Sequence, residues 1–111
     1  MSEDISALNT GLDQSDMRGA ISGFPHQIKK SFSIMGNWMP QNNYIDIRAI
    51  IVLGMGGSAI GGDVARVISQ NSCTVPILVN RSYNIPAWVD ARTLVLASSY
   101  SGSTEETLSA F

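Results

Sequence analysis

The sequence predicts an α/β fold, in which a parallel sheet with strand order 2-1-3 carries helices on both faces. Three apolar runs support this prediction: Ala49–Leu53, Val75–Asn80 and Thr93–Ala97. The first run does not alternate between apolar and polar residues, which is typical of a strand buried on both faces. The first and third runs each lead through a loop of small residues into a helix start, and right-handed crossovers would place the two helices on opposite faces.

Short helices are expected before the sheet. Residues 1–45 are predicted to form an N-terminal helical segment and linker, and residues 46–111 to form the first part of the sheet domain. One helical turn is predicted over residues 16–22, capped by Ser15 or the aspartate that follows it. A longer helix is predicted to begin near Pro25, because proline suits the first turn of a helix, and to end at the glycine of position 36.

Five glycines and a single hydroxyl follow the first strand, in the stretch Gly54-Met55-Gly56-Gly57-Ser58-Ala59-Ile60-Gly61-Gly62. An apolar stripe with helical spacing comes next: Ile60, Val64, Val67 and Ile68. The first N–H groups of such a helix have no intrahelical acceptors. Together with the helix dipole, they favour an anion, most often a phosphate.

The loop after the third strand is rich in hydroxyl groups. It contains Ser98, Ser99, Ser101, Ser103 and Thr104. Ser103 and Glu106 have the spacing of a capping box, but a cap needs only one hydroxyl. The surplus indicates a ligand with several oxygens. In the sheet order 2-1-3, this loop and the glycine-rich loop lie side by side, where open α/β sheets bind ligands.

A dinucleotide-binding interpretation stays open at this point. Gly54, Gly56 and Ala59 match the G-x-G-x-x-G/A spacing, which is a weak signal alone. The expected acidic residue at the end of the second strand is replaced by Asn80-Arg81. Arginine there would suit the 2′-phosphate of NADP. The phosphate loop of nucleotide hydrolases is excluded, because no lysine lies near the glycines.

Composition excludes other classes of function. A net charge of −2 gives no attraction to nucleic acid or to an anionic membrane surface, and no apolar run approaches the ~20 residues of a membrane span. Cys73, the single cysteine, permits no internal disulfide and is expected to be buried. With one histidine besides, the chain offers no ordinary zinc site. We expect a cytoplasmic protein without metal or cofactor, and with no nucleic acid or membrane partner.

No residue is assigned as a catalytic base. His26, the only histidine, is expected on the surface of a first helical turn. Asp63, Glu105 and Glu106 are expected in the first turns of the two sheet-covering helices, where acidic side chains interact favourably with the dipole.

Two motifs resemble the paired signatures of the sugar isomerase (SIS) domain. They are Gly-Met-Gly-Gly-Ser-Ala-Ile-Gly-Gly-Asp at 54–63 and Ser-Tyr-Ser-Gly-Ser-Thr-Glu-Glu-Thr-Leu at 99–108. With the segments 16–28 and 81–88, the whole chain resembles the bifunctional phosphoglucose/phosphomannose isomerase family more narrowly. The resemblance implies the three-layer, flavodoxin-like fold of that domain, of which this chain would be an N-terminal fragment.

The resemblance also implies a site and a reaction. The implied contacts to the substrate phosphate are Gly56, Gly57, Ser58, Ser99, Ser101 and Thr104. The family usually has asparagine where this chain has Ser103. The implied reaction interconverts glucose 6-phosphate or mannose 6-phosphate with fructose 6-phosphate through a cis-enediol, in a homodimer. The family's catalytic glutamate, histidine and lysine would lie beyond residue 111, so this chain alone is expected to be inactive.

Three functions therefore remain open on the sequence. The first is sugar-phosphate binding as the N-terminal part of this isomerase. The second is a non-catalytic SIS module that binds sugar phosphates in a regulator, and the third is an NADP-binding domain. Sequence beyond residue 111 would distinguish them, since only the isomerase requires a second half that carries a glutamate.

Overall fold

The chain is described by a computed structural model over residues 13–111. It divides into two compact units, one ending at Asn42 and the other spanning Asn43–Phe111. In the first unit, helix α1 spans Met17–Ser22 and helix α2 spans Phe24–Met35. Both predicted helices are therefore confirmed, with their bounds shifted by one residue.

Two aspartates determine where α1 begins. Asp16 Oδ1 accepts a hydrogen bond from the N–H of Gly19 at 3.1 Å, so the aspartate, of the two predicted caps, is the one used. Asp13 accepts from the N–H groups of Arg18 and Met17 at 2.9 and 2.7 Å. These backbone donors favour the ionised carboxylate and hold the pKa of Asp13 below its ordinary value.

The second unit contains a parallel sheet. Its strands are β1 (Ala49–Leu53), β2 (Ile77–Asn80) and β3 (Thr93–Ala97). Helix α3 spans Gly56–Ser69 and helix α4 spans Glu105–Ala110. The strand order is β2-β1-β3, with β1 parallel to both neighbours, which confirms the predicted fold class. None of the helices within residues 13–111 combines the length and the apolar character needed to cross a membrane.

Strand β2 begins at Ile77, two positions after the predicted start at Val75. Pro76 has no backbone N–H and therefore cannot donate to the ladder. Its carbonyl still accepts from the N–H of Ile50 at 2.9 Å. The proline therefore delays the start of the strand but stays hydrogen-bonded to the sheet.

Strand β1 forms the centre of the core. Ile51 and Leu53 are fully buried and Val52 nearly so. Because side chains alternate along a strand, Ile51 and Leu53 point to one face and Val52 to the other. Ala110 of α4 belongs to the cluster with Ile51 and Leu53, whereas Gly62 of α3 lies against Val52. The two helices therefore cover opposite faces of the sheet, as expected for right-handed crossovers.

The large apolar residues of α3 do not face the sheet. Each is more than half exposed: Ile60, Val64, Val67 and Ile68. The buried residues of this helix are Ala59 and Gly62. Their small size lets the helix axis approach the sheet closely, and the larger side chains are left on the outer surface.

Gly62 sets the closeness of that approach. A Cβ at this position would lie 3.0 Å from Val52 Cβ and 3.0 Å from Val79 Cγ2. We expect Gly62→Ala to lower the free energy of unfolding by about 1–3 kcal/mol, the usual cost of overpacking. Gly61→Ala is the matched control: its Cβ would meet no atom, and replacing a helical glycine there should stabilise by about 0.5–1 kcal/mol. Thermal unfolding measures both variants, and a Gly62→Ala protein as stable as Gly61→Ala would contradict this packing.

Cys73 is exposed, so its expected burial was wrong. It follows the turn that ends α3, and its Sγ donates to the Val75 carbonyl at 3.3 Å. The chain turns here at the surface, and the apolar character of the thiol is not enough to bury the side chain. His26, by contrast, is exposed on α2 as predicted.

Candidate functional site

The loops after β1 and β3 lie side by side at the carboxyl edge of the sheet. Ser98 Oγ donates to the Ser58 carbonyl at 3.1 Å, and the N–H of Tyr100 donates to Ser58 Oγ at 3.3 Å. The N–H of Ser98 extends the β1–β3 ladder by donating to the Leu53 carbonyl at 2.8 Å. Ser58 is therefore the residue through which the glycine-rich loop is bonded to the hydroxyl-rich loop.

The glycine-rich loop begins α3 without a side-chain cap. The N-cap position is Met55, whose side chain makes no cap hydrogen bond. Gly56 has a φ of +50°, a conformation that favours glycine. Gly56 and Gly57 are both exposed. The first N–H groups of this 14-residue helix are thus accessible at the carboxyl edge of the sheet, where they suit an anion.

Three hydroxyls of the second loop form a cluster. Ser99 Oγ lies 2.8 Å from Thr104 Oγ1, and Ser101 Oγ lies 3.4 and 3.5 Å from these two oxygens. The N–H of Gly102 donates to Ser99 Oγ at 3.0 Å, and that of Ser103 donates to Ser101 Oγ at 3.2 Å. Because the backbone supplies donors to the Ser99 and Ser101 oxygens, the hydrogens of these two hydroxyls can turn towards an anion.

Ser103 does not cap α4, so the predicted capping box was wrong. The N-cap position is Thr104, and its side chain makes no bond to the helix. Ser103 Oγ donates instead to Ser101 Oγ at 3.3 Å. The hydroxyl of Ser103 therefore belongs to the cluster of the loop and is not used at the start of the helix.

The six predicted phosphate contacts therefore fall on two adjoining loops. Gly56, Gly57 and Ser58 open α3, and Ser99, Ser101 and Thr104 surround the start of α4. The second three are hydrogen-bonded to one another. Ser58 is linked to their loop through Tyr100 and Ser98. Their contact with a phosphate stays a prediction.

Asp63 lies in the second turn of α3 and forms an ion pair with Arg81. Its predicted place in the first turn was wrong, because the helix already begins at Gly56. Arg81 directly follows β2. The guanidinium that an NADP-binding interpretation would assign to the 2′-phosphate thus has a carboxylate partner within the chain.

Tyr83, in the connection between β2 and β3, lies beside the first turn of α4. The negative charges of Glu105 and Glu106 raise the pKa of its phenol, and desolvation and a hydrogen bond to Glu106 act in the same direction. Both glutamates occupy the first turn of α4, as predicted. Within residues 13–111, no three His, Cys, Asp or Glu side chains come together as metal ligands would.

Known proteins similar to this chain share one name. The chain is 48% identical over 92 residues to a bifunctional phosphoglucose/phosphomannose isomerase of Caldicellulosiruptor bescii, in an alignment covering 83% of this chain and 27% of the relative. It is 49% identical over 61 residues to a protein of the same name from Thermoplasma acidophilum, covering 55% of this chain and 19% of the relative. A third, from Aquifex aeolicus, is 45% identical over 65 residues, covering 58% and 20%.

The chain matches the N-terminal portion of the bifunctional phosphoglucose/phosphomannose isomerase family. The resemblance stated from its motifs is therefore confirmed, and the family is one of enzymes. The aligned part amounts to 27% or less of the length of these relatives. No family model and no solved structure matches the chain.

Proposed function

We propose that this chain binds the phosphate of a hexose 6-phosphate, as the N-terminal part of an aldose–ketose isomerase. The whole protein would interconvert glucose 6-phosphate or mannose 6-phosphate with fructose 6-phosphate. The observation that carries the proposal is the junction of the two loops, in which Ser58 is bonded to the loop that holds the Ser99–Thr104 hydroxyl pair. The names of the relatives support the choice of substrate.

The donors at this junction are neutral. Neither the glycine-rich loop nor the hydroxyl-rich loop contains a lysine or arginine. A phosphate has several acceptor oxygens, which the N–H groups of Gly56 and Gly57 and the hydroxyls of Ser58, Ser99 and Thr104 can satisfy together. The positive end of α3 adds an attraction that extends over the first turn of the helix.

In the proposed mechanism, this part of the protein positions the substrate. Isomerisation through a cis-enediol moves a proton between C1 and C2, far from the phosphate on C6. Holding the phosphate supplies binding energy that orients the reacting carbons. The proton transfer needs a base whose pKa suits neutral pH. We assign that base to the part of the protein outside this chain, as the family resemblance implies.

The same resemblance supports the wider layout that we propose. Residues 1–45 are a helical segment and linker, and residues 46–111 are the first part of an SIS domain. The whole protein is proposed to be a cytoplasmic homodimer that requires no cofactor.

Ligand preference tests this function. We expect fructose 6-phosphate to bind more tightly than NADP, because the junction offers neutral donors to a single phosphate and Arg81 is already paired with Asp63. Isothermal titration calorimetry of the chain with each ligand, and with inorganic phosphate as a reference, measures the difference. Tighter binding of NADP, or no binding of either phosphate ligand, would contradict the proposal.

A further inference from the structure

The connection that follows β2 is held in shape by its own side chains. We call residues Asn80–Asn84 the brace segment. The side-chain amide of Asn80 donates to the carbonyls of Ser82 and Asn84 at 3.3 and 3.2 Å. The N–H of Asn84 donates to Ser82 Oγ at 3.4 Å. The segment therefore presents Arg81 and Tyr83 from a closed loop.

Arg81 joins the brace segment to α3. Its guanidinium pairs with the carboxylate of Asp63, and the two side chains are only 43% and 35% exposed. Asp63 lies in the second turn of α3, and Ser58 lies in the first. Because a helix is a stiff element, the position of Asp63 constrains the position of the N–H groups and the hydroxyl in that first turn.

Tyr83 belongs to the same segment. The negative charges of Glu105 and Glu106, the first two residues of α4, raise the pKa of its phenol. Thr104, which directly precedes the helix, carries one of the clustered hydroxyls. The brace segment therefore lies near the start of α4 as well as against α3.

A narrow crevice lies where these parts meet. It is lined by Asn80–Ser82 of the brace segment, by Gly54 and Met55 of the glycine-rich loop, and by Glu106 and Thr107 of α4. It has no room for a water molecule. The buried hydroxyl of Thr107 has no hydrogen-bond partner among the described residues. The brace segment, the glycine-rich loop and the start of α4 are therefore neighbours, so a displacement of one affects the others.

We propose that Arg81 is a positioning residue, which holds the first turn of α3, and with it the glycine-rich loop, in the place that a phosphate requires. This inference rests on the proposed function. Arg81 acts through Asp63 and α3. Its side chain does not need to touch the ligand.

The test measures binding of fructose 6-phosphate and of inorganic phosphate by calorimetry, with the 111-residue chain and its variants. We expect Arg81→Ala to weaken the binding of both ligands about fivefold, a change of about 1 kcal/mol. Arg92→Ala is the matched control. It removes an ion pair with Asp46, 3.4 Å long, next to the opposite end of β3, and should leave both affinities unchanged.

Double variants separate positioning from loss of stability. Asp63→Asn should weaken binding as Arg81→Ala does, and the two together should be no worse than either alone. Arg81→Ala should couple to Ser58→Ala, which lies on the same helix, and should add independently to Thr104→Ala. Exchanging the charges, with Asp63→Arg and Arg81→Asp, should restore part of the affinity. A role in overall stability alone would also couple Asp63 to Arg81, but it would not couple Arg81→Ala to Ser58→Ala while leaving it independent of Thr104→Ala.

The outcomes distinguish two failures. If the unmodified chain binds neither ligand, or if Ser58→Ala and Thr104→Ala leave both affinities unchanged, the proposed function is overturned. If those two variants weaken binding while Arg81→Ala binds like the Arg92→Ala control, the positioning role alone is overturned. The positioning role would also be overturned if the losses of affinity were additive in every double variant and followed the fall in melting temperature.

Discussion

The 111-residue chain on its own is expected to show no isomerase turnover with fructose 6-phosphate. Proton transfer between C1 and C2 requires a positioned base, and the family resemblance assigns none to this part of the protein. One carboxylate near the junction already has a partner, because Asp63 pairs with Arg81. A coupled assay that detects glucose 6-phosphate, or mannose 6-phosphate through a second enzyme, measures the turnover.

A host isomerase that contaminates the preparation is the main source of a false signal. The Ser58→Ala chain, purified in parallel, is the control, because contamination would give both preparations the same background. Turnover that exceeds this background would show that a base lies within the chain. Glu105, Glu106 and His26 would then be the first residues to replace.

Removing one hydroxyl from either loop is expected to weaken binding of fructose 6-phosphate roughly tenfold or more. Ser58→Ala and Thr104→Ala each delete a hydrogen bond to a charged oxygen, which is worth about 1.5–3 kcal/mol. Each factor of ten corresponds to about 1.4 kcal/mol. Calorimetry on the chain gives the affinity directly, and the same substitutions in a full-length relative should raise its Michaelis constant.

Ser103→Ala is the control for that experiment. Ser103 is exposed, lies next to Thr104, and its hydroxyl bonds only to Ser101 Oγ in the described structure. Its loss should therefore cost less affinity than either of the other two. Equal losses at Ser58, Ser103 and Thr104 would contradict the roles assigned to them.

The fold and the place of the site could be predicted because they depend on local patterns. The uniform apolar character of Ala49–Leu53 reports burial on both faces, and β1 is indeed the central strand. The strand order then brings the glycine-rich and hydroxyl-rich loops together without further information, and the bonds of Ser58 to Ser98 and Tyr100 show that they meet.

Contacts between distant residues were not predictable in the same way. The pairing of Asp63 with Arg81 depends on how α3 lies on the sheet, which no local pattern specifies. Tyr83 and its approach to Glu106 were missed for the same reason. For the Asp63–Arg81 pair, the available signal was the presence of opposite charges in α3 and directly after β2. The predicted capping box failed for a different reason. Helix α4 begins at Glu105, one residue later than a cap at Ser103 requires, so the N-cap position is Thr104.

Hydrophobic periodicity predicts the wrong buried face for a helix that contacts a sheet through small residues. The stripe of large side chains on α3 was a clear apolar signal in the sequence. Ala59 and Gly62 carry little hydropathy, yet they make the contact, because close approach requires the absence of a side chain more than its apolarity.

The two sides of α3 are therefore under different constraints on sequence change. On the inner side the limit is volume: a methyl group at Gly62 already meets two valines. On the outer side the limit is chemical character, because Ile60 and Ile68 have room for almost any side chain within this chain. In a saturation library scored for folding of the chain alone, inner positions should accept only the smallest residues. Outer positions should accept polar ones freely, unless a surface absent from this chain selects for their apolarity.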